Sequence, residues 1–122
     1  MPNVILVIED DPDQRRLMER TLASKYRVVT AVDGQAGVDT ARDVTPNLII
    51  LDVMMPRLNG YQACRALKED PVTAAIPILI LTTKDEPADE FWAAQVGANA
   101  FLPKPVDITA LLATVKRLLD PA

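Results

Sequence analysis

The sequence predicts an α/β sandwich, a parallel sheet covered by helices on both faces. Three observations carry that reading. Short runs such as Val4–Ile8, 48–51 and 78–81 are wholly apolar, as expected of strands buried on both faces. Strand-like and helix-like segments alternate about five times, at spacings suited to right-handed crossovers. No low-complexity segment or linker breaks the series, and 122 residues suffice for one domain with a sizeable core, here taken as 1–122.

Val4–Ile8 is β-branched and ends on acid, Glu9-Asp10-Asp11. Asp11 reads as a helix N-cap and Pro12 as the first helical position, opening a helix over 12–24 that buries Leu17, Met18 and Leu22. Residues 27–31 form the second strand. Asp33 caps a weaker helix over 34–43, whose Ala36, Val38 and Ala41 offer a thin apolar face. Pro46-Asn47 turns the chain into the third strand, Leu48-Ile49-Ile50-Leu51, which ends on Asp52. Pro56 forbids continued pairing and Asn59-Gly60 is turn chemistry, so a structured loop follows that acid.

A helix over 60–70 carries Ala63, Cys64 and Leu67 and stops at Asp70-Pro71. Cys64 lies among apolar positions and reads as a small core residue. The fourth strand, 76–81, finishes on Thr82-Thr83. Asp85 and Pro87 start a helix that runs to 96 and is stopped by Gly97. It holds Phe91 and Trp92, which diverge by about 100° on a helix, so one packs inward and the other is a candidate for partner docking. A short fifth strand, 100–102, leads to Pro103-Lys104-Pro105. The last helix starts at an Asp107 cap and spaces Ile108, Leu111, Leu112, Val115, Leu118 and Leu119 along one face.

Composition excludes several classes. Net charge is −4, which discourages non-specific nucleic-acid binding. No apolar run approaches the roughly 20 residues of a membrane span. The Met-Pro-Asn start lacks a basic region, so a signal peptide is not expected. One cysteine permits neither an internal disulfide nor a Cys-rich metal site. With no histidine there is no His-based catalysis, no phosphohistidine in this chain and no ordinary zinc site. These features suit the cytoplasm.

Parallel strands all end at one sheet edge, the edge where open α/β sheets bind ligands. Glu9 and Asp10 arrive there from the first strand, Asp52 from the third, Thr82 from the fourth and Lys104 from just beyond the fifth. Taken alone, Asp52 reads equally well as a solvated strand end, Glu9-Asp10-Asp11 as a capped turn and Lys104 as an exposed loop lysine. Their joint arrival argues against accident. Two carboxylates about 4 Å apart repel by about 4 kcal/mol at an effective dielectric of 20, so three must shift their pKa values or recruit a cation. Oxygen ligands without His or Cys select Mg²⁺. Three carboxylates, one lysine and one divalent cation are neutral together. Such a pocket suits an incoming phosphoryl group, with a carboxylate as nucleophile and Thr82 and Lys104 on the phosphoryl oxygens.

Glu9-Asp10, Asp52 with Met55-Pro56 and Gly60, Thr82, and Lys104-Pro105 together resemble the receiver domain of two-component response regulators, over essentially the whole chain. The resemblance implies a flavodoxin-like fold with strand order 2-1-3-4-5. It implies that Asp52 is the phosphoacceptor, taking its phosphoryl group from phosphohistidine on a sensor histidine kinase or phosphotransfer protein. Asp10 and Asp52 are then direct Mg²⁺ ligands, Glu9 acts through water, and the Met54 carbonyl is a third protein ligand. Lys104-Pro105 is expected to be a cis peptide. Thr82 and Phe101 form the switch pair; Phe101 lacks the hydroxyl of the tyrosine common there, so ring rotation rather than a tyrosine hydrogen bond is the available movement.

The resemblance further implies output to an effector protein through the surface of the fourth predicted helix, the fifth strand and the last helix. It admits homodimerisation on phosphorylation, and implies neither direct nucleic-acid binding nor membrane insertion. Such a domain is not an enzyme beyond catalysing its own phosphorylation and dephosphorylation. Met54 and Lys84 occupy the positions that tune phosphoryl lifetime, and neither suits guiding a water, which predicts slow self-dephosphorylation. The segment from Thr82 through Trp92 is also similar to stand-alone receivers of type IV pilus and chemotaxis-like systems. Two other classes fit less well. An Asp-nucleophile phosphatase would carry a second acid where Met54 stands, and a dinucleotide-binding domain would need glycines where Glu9-Asp10-Asp11-Pro12 stands. A degenerate receiver that only docks proteins would lack some of the phosphorylation residues.

Overall fold

The interior strand β1 (Val4–Ile8) is hydrogen-bonded in parallel to β2 (Arg27–Ala31) on one side and to the central strand β3 (Leu48–Asp52) on the other. β3 pairs with β4 (Ile78–Thr82), and β4 with β5 (Ala100–Pro103), giving the order β2-β1-β3-β4-β5. This is the flavodoxin-like order implied by the resemblance. The computed structural model describes residues 3–52, 60–82 and 97–120. Four helices lie among these: α1 (Pro12–Ala23), α2 (Gly34–Val44), α3 (Gly60–Glu69) and α4 (Ile108–Leu119). The helix expected over 85–96, with Phe91 and Trp92, lies outside the described residues. None of the described helices is long and apolar enough to cross a membrane.

β3 is buried at every position, which is why its sequence shows no polar alternation. Successive strand residues point to opposite faces and so feed two cores. Leu6, Ile8, Ile49, Leu51, Ile78 and Ile80 pack with Ala41 of α2 and Cys64 and Leu67 of α3. Ile5, Val7, Leu48, Ile50, Leu79 and Leu81 pack with Met18 and Leu22 of α1 and Leu111 and Val115 of α4.

Four expectations need correction. Leu17 is 57% exposed rather than buried, because the stripe of α1 facing the sheet runs through Met18 and Leu22, four residues apart. Ile108 is 38% exposed in the first turn of α4, where Leu111 and Val115 carry the burial. Asp107 occupies the N-cap position of α4 but its side chain makes no capping hydrogen bond, whereas Asp11 and Asp33 accept from the N–H groups of Asp13 and Ala36. The fourth strand begins at Ile78, not at 76. The Ile76 N–H is spent in a turn on the Thr73 carbonyl, and Pro77 has no N–H to give.

The thin apolar face of α2 has a cause that the periodicity conceals. Gly37 is buried directly over Ile8, and a Cβ there would stand 2.7 Å from Ile8 Cγ1 and 2.9 Å from Cγ2. Ile8 is 1% exposed and β-branched, so it cannot yield. Gly37→Ala is therefore expected to destabilise the fold by about 1–3 kcal/mol, read as a lower urea midpoint. An unchanged midpoint would show that α2 can lift off β1 without cost.

Candidate functional site

The parallel register sets the site. Ile8 of β1 lies opposite Leu51 of β3, so Glu9 and Asp52, the next residues on each strand, leave the sheet side by side. Asp10 follows in the loop that enters α1, and Lys104 stands one residue beyond β5. Carboxylate oxygens of Glu9, Asp10 and Asp52 lie within 4.8 Å of one another. Glu9 and Asp52 are buried, and Asp10 is exposed at the rim.

One ammonium bridges the two buried acids. Lys104 Nζ donates to Glu9 Oε1 at 2.9 Å and lies 3.0 Å from Asp52 Oδ2. The remaining polar groups of Glu9 are also engaged. Its N–H donates to the Ala31 carbonyl at 3.0 Å, its Oε2 accepts from the Asp11 N–H at 3.3 Å, and its carbonyl accepts from Arg15 Nη1 at 3.0 Å. Burial pushes the Glu9 carboxyl up to about 7, opposed by the Lys104 hydrogen bond and reinforced by the negative charge of Asp52. For Lys104, burial favours the neutral amine, but hydrogen bonds and charge from Glu9 and Asp52 outweigh it and the pKa is raised.

The donor set fits a hard divalent cation. All three acidic groups offer oxygen, and three carboxylates against one ammonium leave a charge that a divalent ion would balance.

Thr82 closes β4 opposite Pro103, and its side chain lies outside what is described. Phe101 of β5 pairs with Ile80 of β4 and packs half-buried against the core under α2 and α3. Met54, Met55, Pro56 and Lys84 lie outside the described residues. The Lys104-Pro105 peptide is cis. Two features of the site are not legible in the sequence. One is that Lys104 is held directly by the two acids; the other is that Arg15, in the first turn of α1, reaches back to the acidic loop. The only signal for Arg15 is its place four residues after the N-cap Asp11, which returns it to the face above the strand end.

Comparison with known proteins agrees with this geometry. The family model described as response regulator receiver domain matches residues 5–116. Protein PilH of Pseudomonas aeruginosa is 40% identical over 116 residues, covering 94% of this chain and 96% of PilH. Several longer relatives are matched over about half of their length or less. Among solved structures, the chemotaxis protein CheY4 of Vibrio cholerae superimposes with a TM-score of 0.92 at 32% identity, over 98% of this chain and 100% of that one. The receiver domain of the sensor histidine kinase PA1611 from P. aeruginosa gives 0.90 at 30% identity, over 98% of each chain, and holds a magnesium ion in its active-site cleft. A strand order, an acidic edge and a matching family model thus point the same way, and the chain belongs to the response regulator receiver domains, the phosphorylation-activated switches of two-component signalling.

Proposed function

We propose that residues 1–122 form a single receiver domain in which Asp52 is the phosphoacceptor. A carboxylate oxygen of Asp52 attacks the phosphorus of a phosphohistidine on a sensor histidine kinase or phosphotransfer protein. The P–N bond breaks, and the departing imidazole takes its proton from solvent. The observation that supports this reading is the Lys104 ammonium shared by Glu9 and Asp52 with Asp10 at the rim. Lys104 already lies at the acceptor carboxylate, so it can pair with a phosphoryl oxygen without a change of position, and Thr82 donates to another. Asp10, Asp52 and the Met54 carbonyl would hold a Mg²⁺ ion, with Glu9 acting through water, and the ion would supply positive charge against the acids and the phosphoryl group. The domain is no enzyme beyond catalysing its own phosphorylation and dephosphorylation.

Phosphorylation is read out by Thr82 and Phe101, whose ring turns between exposed and buried positions. This alters the surface of β5, α4 and the helix expected from the sequence over 85–96, where an effector protein docks and where homodimerisation on phosphorylation would also occur. The domain works in the cytoplasm, without direct nucleic-acid binding and without membrane insertion. Beryllofluoride with Mg²⁺ tests the reading. The native protein should show Mg²⁺-dependent shifts in its amide spectrum and in Trp92 fluorescence, and Asp52→Asn should abolish them. A native protein that does not respond would refute the phosphorylation switch. Because Met54 and Lys84 are poorly suited to guide an attacking water, the aspartyl phosphate should outlast a few seconds in purified protein. Decay within that time, followed with radiolabelled phosphate, would refute slow self-dephosphorylation.

A further inference from the structure

We propose that Arg15 is a positioning residue for the acidic cluster, holding the peptide groups of Glu9 and Asp10 so that both carboxylates face a divalent cation; this rests on the Mg²⁺ reading above. Adjacent residues of a strand point to opposite faces, so Glu9 and Asp10 can bring their carboxylates together only if the chain turns between them. The β1 ladder reaches no further than the Glu9 N–H, bonded to the Ala31 carbonyl. Beyond it the two carbonyls of the turn are both met by one guanidinium nitrogen. Arg15 Nη1 lies 3.0 Å from the Glu9 carbonyl and 3.4 Å from that of Asp10.

The base of that side chain is itself fixed. The Arg15 N–H donates to the Asp11 carbonyl at 2.9 Å in the first turn of α1, and Asp11 caps that helix. A rigid helix end therefore holds the loop that carries both acids. Because these contacts go to peptide oxygen, they occupy none of the carboxylate oxygens of the cluster.

The sign of the effect separates positioning from charge. Arg15 adds positive charge near a cation site, so on Coulomb grounds alone its removal should tighten Mg²⁺ binding. If it positions the ligands, its removal should weaken binding, as loss of groups that orient metal ligands does by about tenfold or more. The experiment is a calorimetric Mg²⁺ titration of the native protein, Arg15→Ala, Arg15→Lys, Arg16→Ala and Asp10→Asn, with amide spectra of each in the absence of metal. Arg15→Ala should raise Kd about tenfold and shift the Asp10 and Asp11 amides without metal, with Arg15→Lys between it and the native protein. Arg16→Ala, which removes the same charge from an exposed neighbour, should not weaken binding.

Native or tighter affinity in Arg15→Ala overturns the inference. Should that variant fail to fold, native affinity and native Asp10 and Asp11 amides in Arg15→Lys overturn it equally. Native protein that binds Mg²⁺, with binding lost in Asp10→Asn, keeps the functional reading whatever Arg15 does. Native protein that binds none removes both.

Discussion

Lys104→Met should lower the stability of the metal-free protein by about 3 kcal/mol at pH 8, and by much less at pH 5. Methionine keeps the stem that borders the cavity of about 250 Å³ lined by Leu17, Met18, Leu81 and Ile108, so the change isolates the ammonium. What remains is Glu9 and Asp52, 3% and 4% exposed, facing each other without their shared cation. Removing one partner of a buried ion pair costs more than the pair contributes, because burial limits how far water can replace the lost cation.

The sign with pH follows from the two groups. Lys104 has a raised pKa, so its own contribution is fully present below the ordinary lysine value and does not change between pH 5 and 8. Glu9 is already pushed up to about 7, and without the lysine it moves higher. A carboxyl with a raised folded pKa destabilises as pH rises from its unfolded value through its folded one, so the deficit of the variant grows over that window. If the proposed Mg²⁺ site is right, added Mg²⁺ should recover part of the loss, as a ligand of the folded form does. Equal urea midpoints for the two proteins at pH 8 in chelator would show that the acids find relief elsewhere.

Above pH 9 a different group takes over. Cys64 has no exposed surface, and burial pushes its thiol up to about 11 against a smaller opposing effect of Lys68. The unfolded chain ionises its thiol near the ordinary value, so the contribution of Cys64 is intact below about pH 9 and lost as pH rises to about 11. The native protein should lose about 2–3 kcal/mol over that interval relative to Cys64→Ala, which has no thiol to titrate. At neutral pH the same burial should leave Cys64 unreactive toward thiol reagents until the protein unfolds. A constant difference between the two proteins from pH 8 to 11 would show that the thiol is not held neutral.

Local chemistry made much of this molecule readable. Unbroken apolar runs mark β1 and β3 because a strand covered on both faces has no polar side to show. Asp11-Pro12 and Asp33 mark helix starts because a short acceptor and a fixed φ satisfy orphan N–H groups over only a few residues. The candidate site was partly legible for a related reason. Parallel strands end at a common edge, so knowing where strands stop predicts which acids meet.

Other features depend on residues far apart in the chain. The exposure of Leu17 depends on the angle at which α1 lies on the sheet, which a stripe of apolar residues bounds only within about a turn. Gly37 looks like a weak helix residue until Ile8 is placed beneath it. Lys68 looks like a solvated lysine, yet its Nζ bonds the Ile76 carbonyl at 2.8 Å and Asn99 Oδ1 at 3.2 Å, lashing α3 to the start of β4 and β5. The Lys104 bridge spans 95 residues, and Arg15 turns back on the loop before its own helix. Helix starts and buried strands come from short-range preference and burial pattern, which a linear sequence records directly. Who pairs with whom at the sheet edge comes from register and packing angle, which exist only once the chain has closed on itself.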